Sequence, residues 1–219
     1  MLIAARVALL LTACALTVSC TRYVEAEPVA SAELIAGQSD VAAGADASNC
    51  TPVGAPLVEI EPVDDDEPVL RIPQPDGWDR FTEMDSDLFR FTMTNIDLAS
   101  EEFAPTVVVT LESKAGMEDP TVVFEAQRES LEMGFGATDL TVTQQLQCGL
   151  PAELIRYTTP QMGNLGPLPA QVLIAVMHAS GRTYAVTVTS QTDDPLDAQY
   201  QSDTEQILGG FQMLAPAGG

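Results

Sequence analysis

From Val69 onward, apolar and polar positions follow short, repeated patterns separated by turn residues. Val69-Leu70-Arg71-Ile72 is a short strand, stopped by Pro73, Pro75, Asp76 and Gly77. Leu88–Met93 and Thr106–Leu111 predict two more, the second β-branched and therefore central. Asp119-Pro120 then offers an N-cap with proline at the first helical position, and Val123, Phe124, Gln127 and Leu131 follow at helical spacing up to Gly134 or Gly136. Leu140–Thr143 alternates, Cys148-Gly149 turns, and Ala152–Tyr157 returns as the partner strand. Gln171–Met177 is apolar at every position but its first, as in a strand covered on both faces. Ser180-Gly181 is a two-residue hairpin turn, and Tyr184–Thr189 pairs back. The pattern predicts a last helix capped by Asp194, with Pro195 at its first position, a stripe of Leu196, Tyr200, Thr204 and Ile207, and a stop at Gly209-Gly210.

The order is β-β-β-α-β-β-β-β-α. Hairpins dominate, so the expected fold is α+β: a mainly antiparallel sheet of about six to seven strands flanked by two helices. Trp78, the single tryptophan, is expected as a core anchor beside the turn.

The first residues need a different reading. Val7–Val18 carries no charge and follows Arg6. The run is too short to span a bilayer, which takes about 20 residues, and suits the core of a signal peptide. It ends Leu16-Thr17-Val18-Ser19-Cys20, which resembles the lipobox of bacterial lipoproteins. That resemblance implies a signal peptide over 1–19, cleavage before Cys20 and acylation of its thiol. Leu11-Thr12-Ala13-Cys14 is a competing match, but it leaves only about five apolar positions after Arg6, short of the usual 7–15. Cys20 is the preferred site.

From Thr21 to about Pro68 no period is sustained, and Ala, Glu, Asp, Pro, Ser and Gly dominate. Such composition buries too little apolar surface to offset ordering entropy. The expected layout is therefore a signal peptide over 1–19, a disordered acidic tether over 20–66, an α+β domain over 67–215 and a disordered tail over 216–219. About 45 flexible residues span roughly 35–40 Å, enough to lift the domain off a membrane. The run Asp64-Asp65-Asp66-Glu67 lacks the alternating ligands and central glycine of a calcium loop and reads as solvated linker.

Charge narrows the partners. The chain has 32 acidic and 9 basic residues, a net −23, and removal of 1–19 takes away Arg6 and no acid, giving −24. Nucleic-acid binding, which needs clustered Lys and Arg, is excluded. An anionic lipid surface repels such a chain, so contact with the membrane is expected through N-terminal acyl chains alone. With Cys20 acylated and Cys14 removed, Cys50 and Cys148 remain, and an even count outside the cytosol predicts a disulfide between them.

Candidate chemistry is sparse. His178, the only histidine, lies at the end of a core strand and is expected at the surface or half-buried. No Gly-x-Ser-x-Gly elbow, zinc-ligand spacing or phosphate-cradling glycine loop appears. No catalytic residue, metal site or cofactor is assigned. The Gly- and Pro-rich loop from Gln161 to Pro169 carries Met162, Leu165 and Leu168. It reads either as a mobile cover on an apolar ligand pocket or as a loop that tucks its leucines onto the core.

The lipobox, the tether, Ile72-Pro73-Gln74-Pro75-Asp76-Gly77-Trp78, the Gly149-Leu150-Pro151-Ala152 turn and the C-terminal helix together resemble the LpqN/LpqT-type lipoproteins of mycobacteria and relatives, over about residues 66–214. The resemblance implies a Mog1/PsbP-like fold, a cell-envelope location and envelope lipid or protein partners. It transfers no catalytic residue. The function expected is a non-catalytic, lipid-anchored binding or accessory module. A hydrolase of an envelope lipid or peptide, and a spacer without ligand, are the alternatives.

Overall fold

A computed structural model describes residues 45–100 and 103–216. The expectations for 1–44, including the signal peptide, Cys14, Cys20 and most of the tether, lie outside the described residues, as does the tail over 217–219.

Ten strands and two α-helices are described. The main sheet has seven antiparallel strands: β3 (Asp79–Arg80), β4 (Phe89–Thr94), β5 (Thr106–Ala115), β6 (Thr138–Gln147), β7 (Leu150–Thr158), β8 (Pro169–Ala179) and β9 (Arg182–Gln191). Their spatial order is β3-β4-β5-β9-β8-β7-β6. The chain leaves β5, crosses one face as α1 (Pro120–Glu129), drops to the far edge as β6, and meanders back until β9 pairs with β5. Two turns enforce the meander. Cys148 and Gly149 have φ of 51° and 84°, and Ser180 and Gly181 have 50° and 72°. Positive φ at both central residues of a two-residue loop matches the twist of the flanking strands.

β8 explains its own composition. Val172, Ile174 and Val176 join Phe124, Ile155 and Tyr157 in a cluster under α1. Leu173, Ala175 and Met177 join Leu150, Val186 and Val188 in the larger cluster on the opposite face. Alternating side chains are thus both buried, and the strand reads as continuously apolar.

The larger cluster is covered by α2 (Ala198–Gly210) and by a second, three-stranded sheet of β1 (Leu57–Ile60), β2 (Val69–Pro73) and β10 (Gln212–Leu214). This sheet departs from the sequence expectation. β1 falls inside the stretch read as tether, which therefore cannot reach residue 66. Its four residues could not be told from linker by period, because its partner β2 supplies the ladder. The acidic run is also only partly solvated: the Glu67 side chain is 14% exposed and makes a bidentate contact with buried Arg90, at 2.5 and 3.0 Å. Burial pushes the Glu67 carboxyl up, but the Arg90 hydrogen bond and charge, with the amides of Val63 and Asp64, hold it below the usual carboxylate value.

α1 begins as expected, with the Asp119 carboxylate accepting from the Thr121 amide at 2.8 Å. It runs into a π-helical turn, Ser130–Phe135, and stops at Gly136, whose φ is 84°. The last helix starts later than its sequence signal. Asp197 is the cap, accepting from the Tyr200 amide at 2.7 Å, while Asp194 closes only a local turn with the Leu196 amide. Leu196 is consequently 83% exposed and not part of the buried stripe. Trp78 is buried at 2% exposure, and its indole donates to the Asp203 carboxylate at 2.9 Å.

Candidate ligand cleft beneath the C-terminal helix

α2 crosses its sheet face obliquely. Near its start, the Tyr200 and Thr204 hydroxyls meet the Ser190 hydroxyl of β9 at 2.9 and 3.3 Å. Near its end, the Gln147 amide of edge strand β6 donates to the carbonyls of Leu208, Gly209 and Phe211 at 3.2, 3.1 and 2.6 Å. These carbonyls have no partner within the helix, so one side chain satisfies the C-terminus that no glycine cap closes. The oblique path leaves a gap over β6, β7 and β8. It is a cleft of about 590 Å³, open to solvent.

The spacing of the lining residues follows from the elements. On α2, Gln201, Thr204, Glu205 and Leu208 recur at three and four residues, one helical stripe. On the sheet, Leu154 and Arg156 of β7 and Gln171 of β8 share the face of Leu150 and Leu173, because alternate residues point the same way. Leu154, Leu208 and Pro195 give apolar surface, and Gln145, Arg156, Gln171 and Tyr200 give polar atoms. Burial raises the Tyr200 phenol, against the lowering effect of hydrogen bonds to Ser190, Thr204 and Gln171. Tyr200 is thus a neutral hydroxyl at physiological pH.

Arg156 is the distinctive group. Nine Lys and Arg minus Arg6 and Arg22 leaves seven in the described residues. Five are in ion pairs: Arg71, Arg80, Arg90, Lys114 and Arg128. Arg182 donates to the Ser113 hydroxyl. Among the described basic residues, Arg156 alone makes neither an ion pair nor a side-chain hydrogen bond, and it is one of the residues lining the cleft. Arg156 is exposed, so its guanidinium is solvated and accessible to an anionic group entering the cleft.

The residues singled out from the sequence are placed as follows. Cys50 and Cys148 are bonded, with S–S 2.02 Å and Cα atoms 4.0 Å apart. Met162 and Leu165 are half-buried and face each other across a tight turn closed by two 3.0 Å backbone bonds. Leu168 is buried, its amide donating to the Thr159 hydroxyl at 2.9 Å. None of the three lines the cleft, and only Pro169 from that loop does. His178 is buried at 8% exposure rather than half-exposed, because the α1-side loop packs over it and the Glu118 carbonyl bonds its Nε2 at 2.7 Å. Among the described residues, no group of three or more His, Cys, Asp or Glu is disposed to hold a metal ion. The cleft was not legible in the sequence. The unpaired state of Arg156 and the oblique path of α2 are both tertiary facts.

No protein-family model and no curated protein matches the chain. Solved structures do. LpqN, described as involved in cell envelope biogenesis of Mycobacterium tuberculosis, superposes with a TM-score of 0.58 at 15% identity, over 74% of this chain and 92% of that one. The Saccharomyces cerevisiae Ran-binding protein Mog1p gives 0.46 at 14% identity, over 74% and 97%. A Mog1 mutant gives 0.44 at 13%, over 73% and 97%. The chain has an LpqN-like α+β fold, an antiparallel sheet flanked by helices.

Proposed function

We propose that this chain is a lipid-anchored, non-catalytic binding module of the cell envelope, and that it holds an envelope amphiphile in the cleft under α2. The observation that carries the reading is the pairing of apolar surface, Leu154, Leu208 and Pro195, with Arg156, the one unpartnered guanidinium among the described residues, in a single cleft of about 590 Å³. That volume lies within the usual range for small-molecule sites, roughly 300–1,000 Å³. An acyl or other apolar portion would lie on the leucines. A polar head bearing a phosphate or carboxylate would meet Arg156, with Gln145, Gln171 and Tyr200 as neutral hydrogen-bonding groups.

The envelope location rests on the lipobox at Cys20, on the disulfide, which belongs to an oxidising compartment, and on the likeness to a protein of envelope biogenesis. Membrane attachment would come from the acyl chains at Cys20, since the acidic surface is repelled by anionic lipid.

Native mass spectrometry of the protein purified from its host tests the ligand. A lipid mass should be retained by the wild-type chain and lost in Arg156→Glu and in Gln145→Trp, which fills the cleft from its edge. Absence of any lipid, or equal retention in both variants, would overturn the reading. Labelled palmitate tests the anchor separately: incorporation should vanish in Cys20→Ala, and unchanged labelling refutes the anchor.

A further inference from the structure

The seven-stranded sheet has two edges, and they are treated differently. β3 is two residues long and both are charged, Asp79 and Arg80. Short, charged edges are how natural sheets avoid pairing with another chain. β6 has ten residues, and from Leu140 to Gln147 it carries neither an ionisable side chain nor a proline. This occurs in a protein with 32 acidic and 9 basic residues. β7 pairs with one side of β6, and no described strand occupies the other.

The exposed side chains of this edge are self-complementary. Val142 is 41% exposed and Leu146 is 72% exposed. Val142 lies opposite Ile155 and Leu146 opposite Pro151, so both stand on the α1 face. From 142 to 146 the strand reads apolar, Thr, Gln, Gln, apolar, the same polarity in either direction. An antiparallel pair of identical strands has a two-fold axis. Centred on Gln144, it sets Val142 against Leu146 of a second copy, and the reverse, so that two exposed apolar pairs are buried at once. On the other face Thr143 meets Gln145 and Thr141 meets Gln147, all uncharged.

We propose that β6 pairs with β6 of a second copy of this chain, registered on Gln144, to give a two-fold dimer with one continuous sheet of seven strands from each copy. The inference is independent of the lipid reading. The contact is small, so the dimer is weak and reversible. Two chains of net −23 repel each other, so added salt strengthens association by screening.

Sedimentation equilibrium of the purified protein, with Val142→Lys and Leu146→Lys, tests the proposal. Both positions are exposed, so the fold is not at risk. Each lysine also lowers the net negative charge. If association were set by overall charge, the variants would dimerise better. Edge pairing requires the opposite: at least about tenfold weaker association, since every substitution appears twice in the dimer. Gln144→Cys gives a second readout. Under mild oxidant it should link into dimers faster than Met84→Cys, an exposed position in the β3–β4 connection at the opposite edge of the sheet. A chain that is monomeric at every concentration, whether its β6 edge is bare or taken by an extended segment of a different protein, overturns the proposal. So does a dimer unaffected by both lysines, or equal crosslinking at the two cysteines.

Discussion

Breaking the Cys50–Cys148 bond should remove a large part of the stability of the domain without changing its folded form. The bond joins residues 98 apart. In the chain-entropy treatment, closing a loop of that length in the unfolded ensemble costs about −2.1 − 1.5R ln(98) cal/mol/K, which at 25 °C makes the bond worth about 4.7 kcal/mol. For a domain of this size, that corresponds to a fall in Tm of about 10–20 °C. The native state should change little, because the segment after Cys50 has other attachments: the Ala55 amide donates to Gln206 at 3.1 Å, and Val53 lies against Gly210. Trp78 is the only tryptophan and is buried, so its fluorescence reports the whole transition. Urea unfolding followed by Trp78 emission, with and without reductant and in Cys50→Ala, measures the effect. The native emission maximum should be unchanged, and the stability should drop by several kcal/mol. A loss under about 1 kcal/mol refutes the loop-entropy argument. A native emission maximum shifted by reduction alone refutes the claim that the bond acts on the unfolded chain.

Three further outcomes follow from packing and charge. Gly210→Ala places a Cβ 2.6 Å from Val53 Cγ2 and 2.8 Å from Pro73 Cγ, so it should destabilise by about 1–3 kcal/mol in the same urea assay, and a neutral result would show that the β1–β2 end yields freely. Asp203→Ala strands the Trp78 indole N–H in the core and frees Gln199, which donates to the other Asp203 oxygen at 2.7 Å; it should cost about 1–3 kcal/mol and alter Trp78 emission. The Glu67 carboxyl is held low in the folded state, so its contribution is present above the ordinary carboxylate pKa and is lost as pH falls through the lower folded value, where neutralisation strands the buried Arg90. Stability measured against pH should therefore fall less steeply on the acid side in Glu67→Gln, and parallel acid limbs would contradict the assignment.

The order of strands and helices was written locally. The β-branched run at β5, the continuous apolar run at β8, the returning strand at β9, the Asp119-Pro120 cap and the two turns at 148–149 and 180–181 each depend on a few adjacent residues, and the structure has them where the pattern put them. Boundaries were less legible. β5 extends to Ala115 although its last four residues are exposed, and β6 runs from Thr138 to Gln147 although every residue before Gln147 is exposed or half-buried, because the backbone ladder with a neighbour continues where the side chains are not informative. The Asp194-Pro195 signal failed for a related reason. Asp194 and Asp197 are both competent caps, and the packing of Tyr200 and Thr204 on Ser190 accompanies a start at Ala198.

What the sequence determined alone was the class of element at each long segment and the pairing of two cysteines, since period, turn chemistry and an even thiol count are local or compositional properties. What only the tertiary structure decided was the second sheet, which needs β1 and β10 to meet β2 from opposite ends of the domain. The same holds for the cleft, which exists because α2 runs from Ser190 to Gln147 across strands distant in sequence, and for the solitude of Arg156. A side chain's partner is a matter of position in space, and no count of charges along the chain says which guanidinium is left without one.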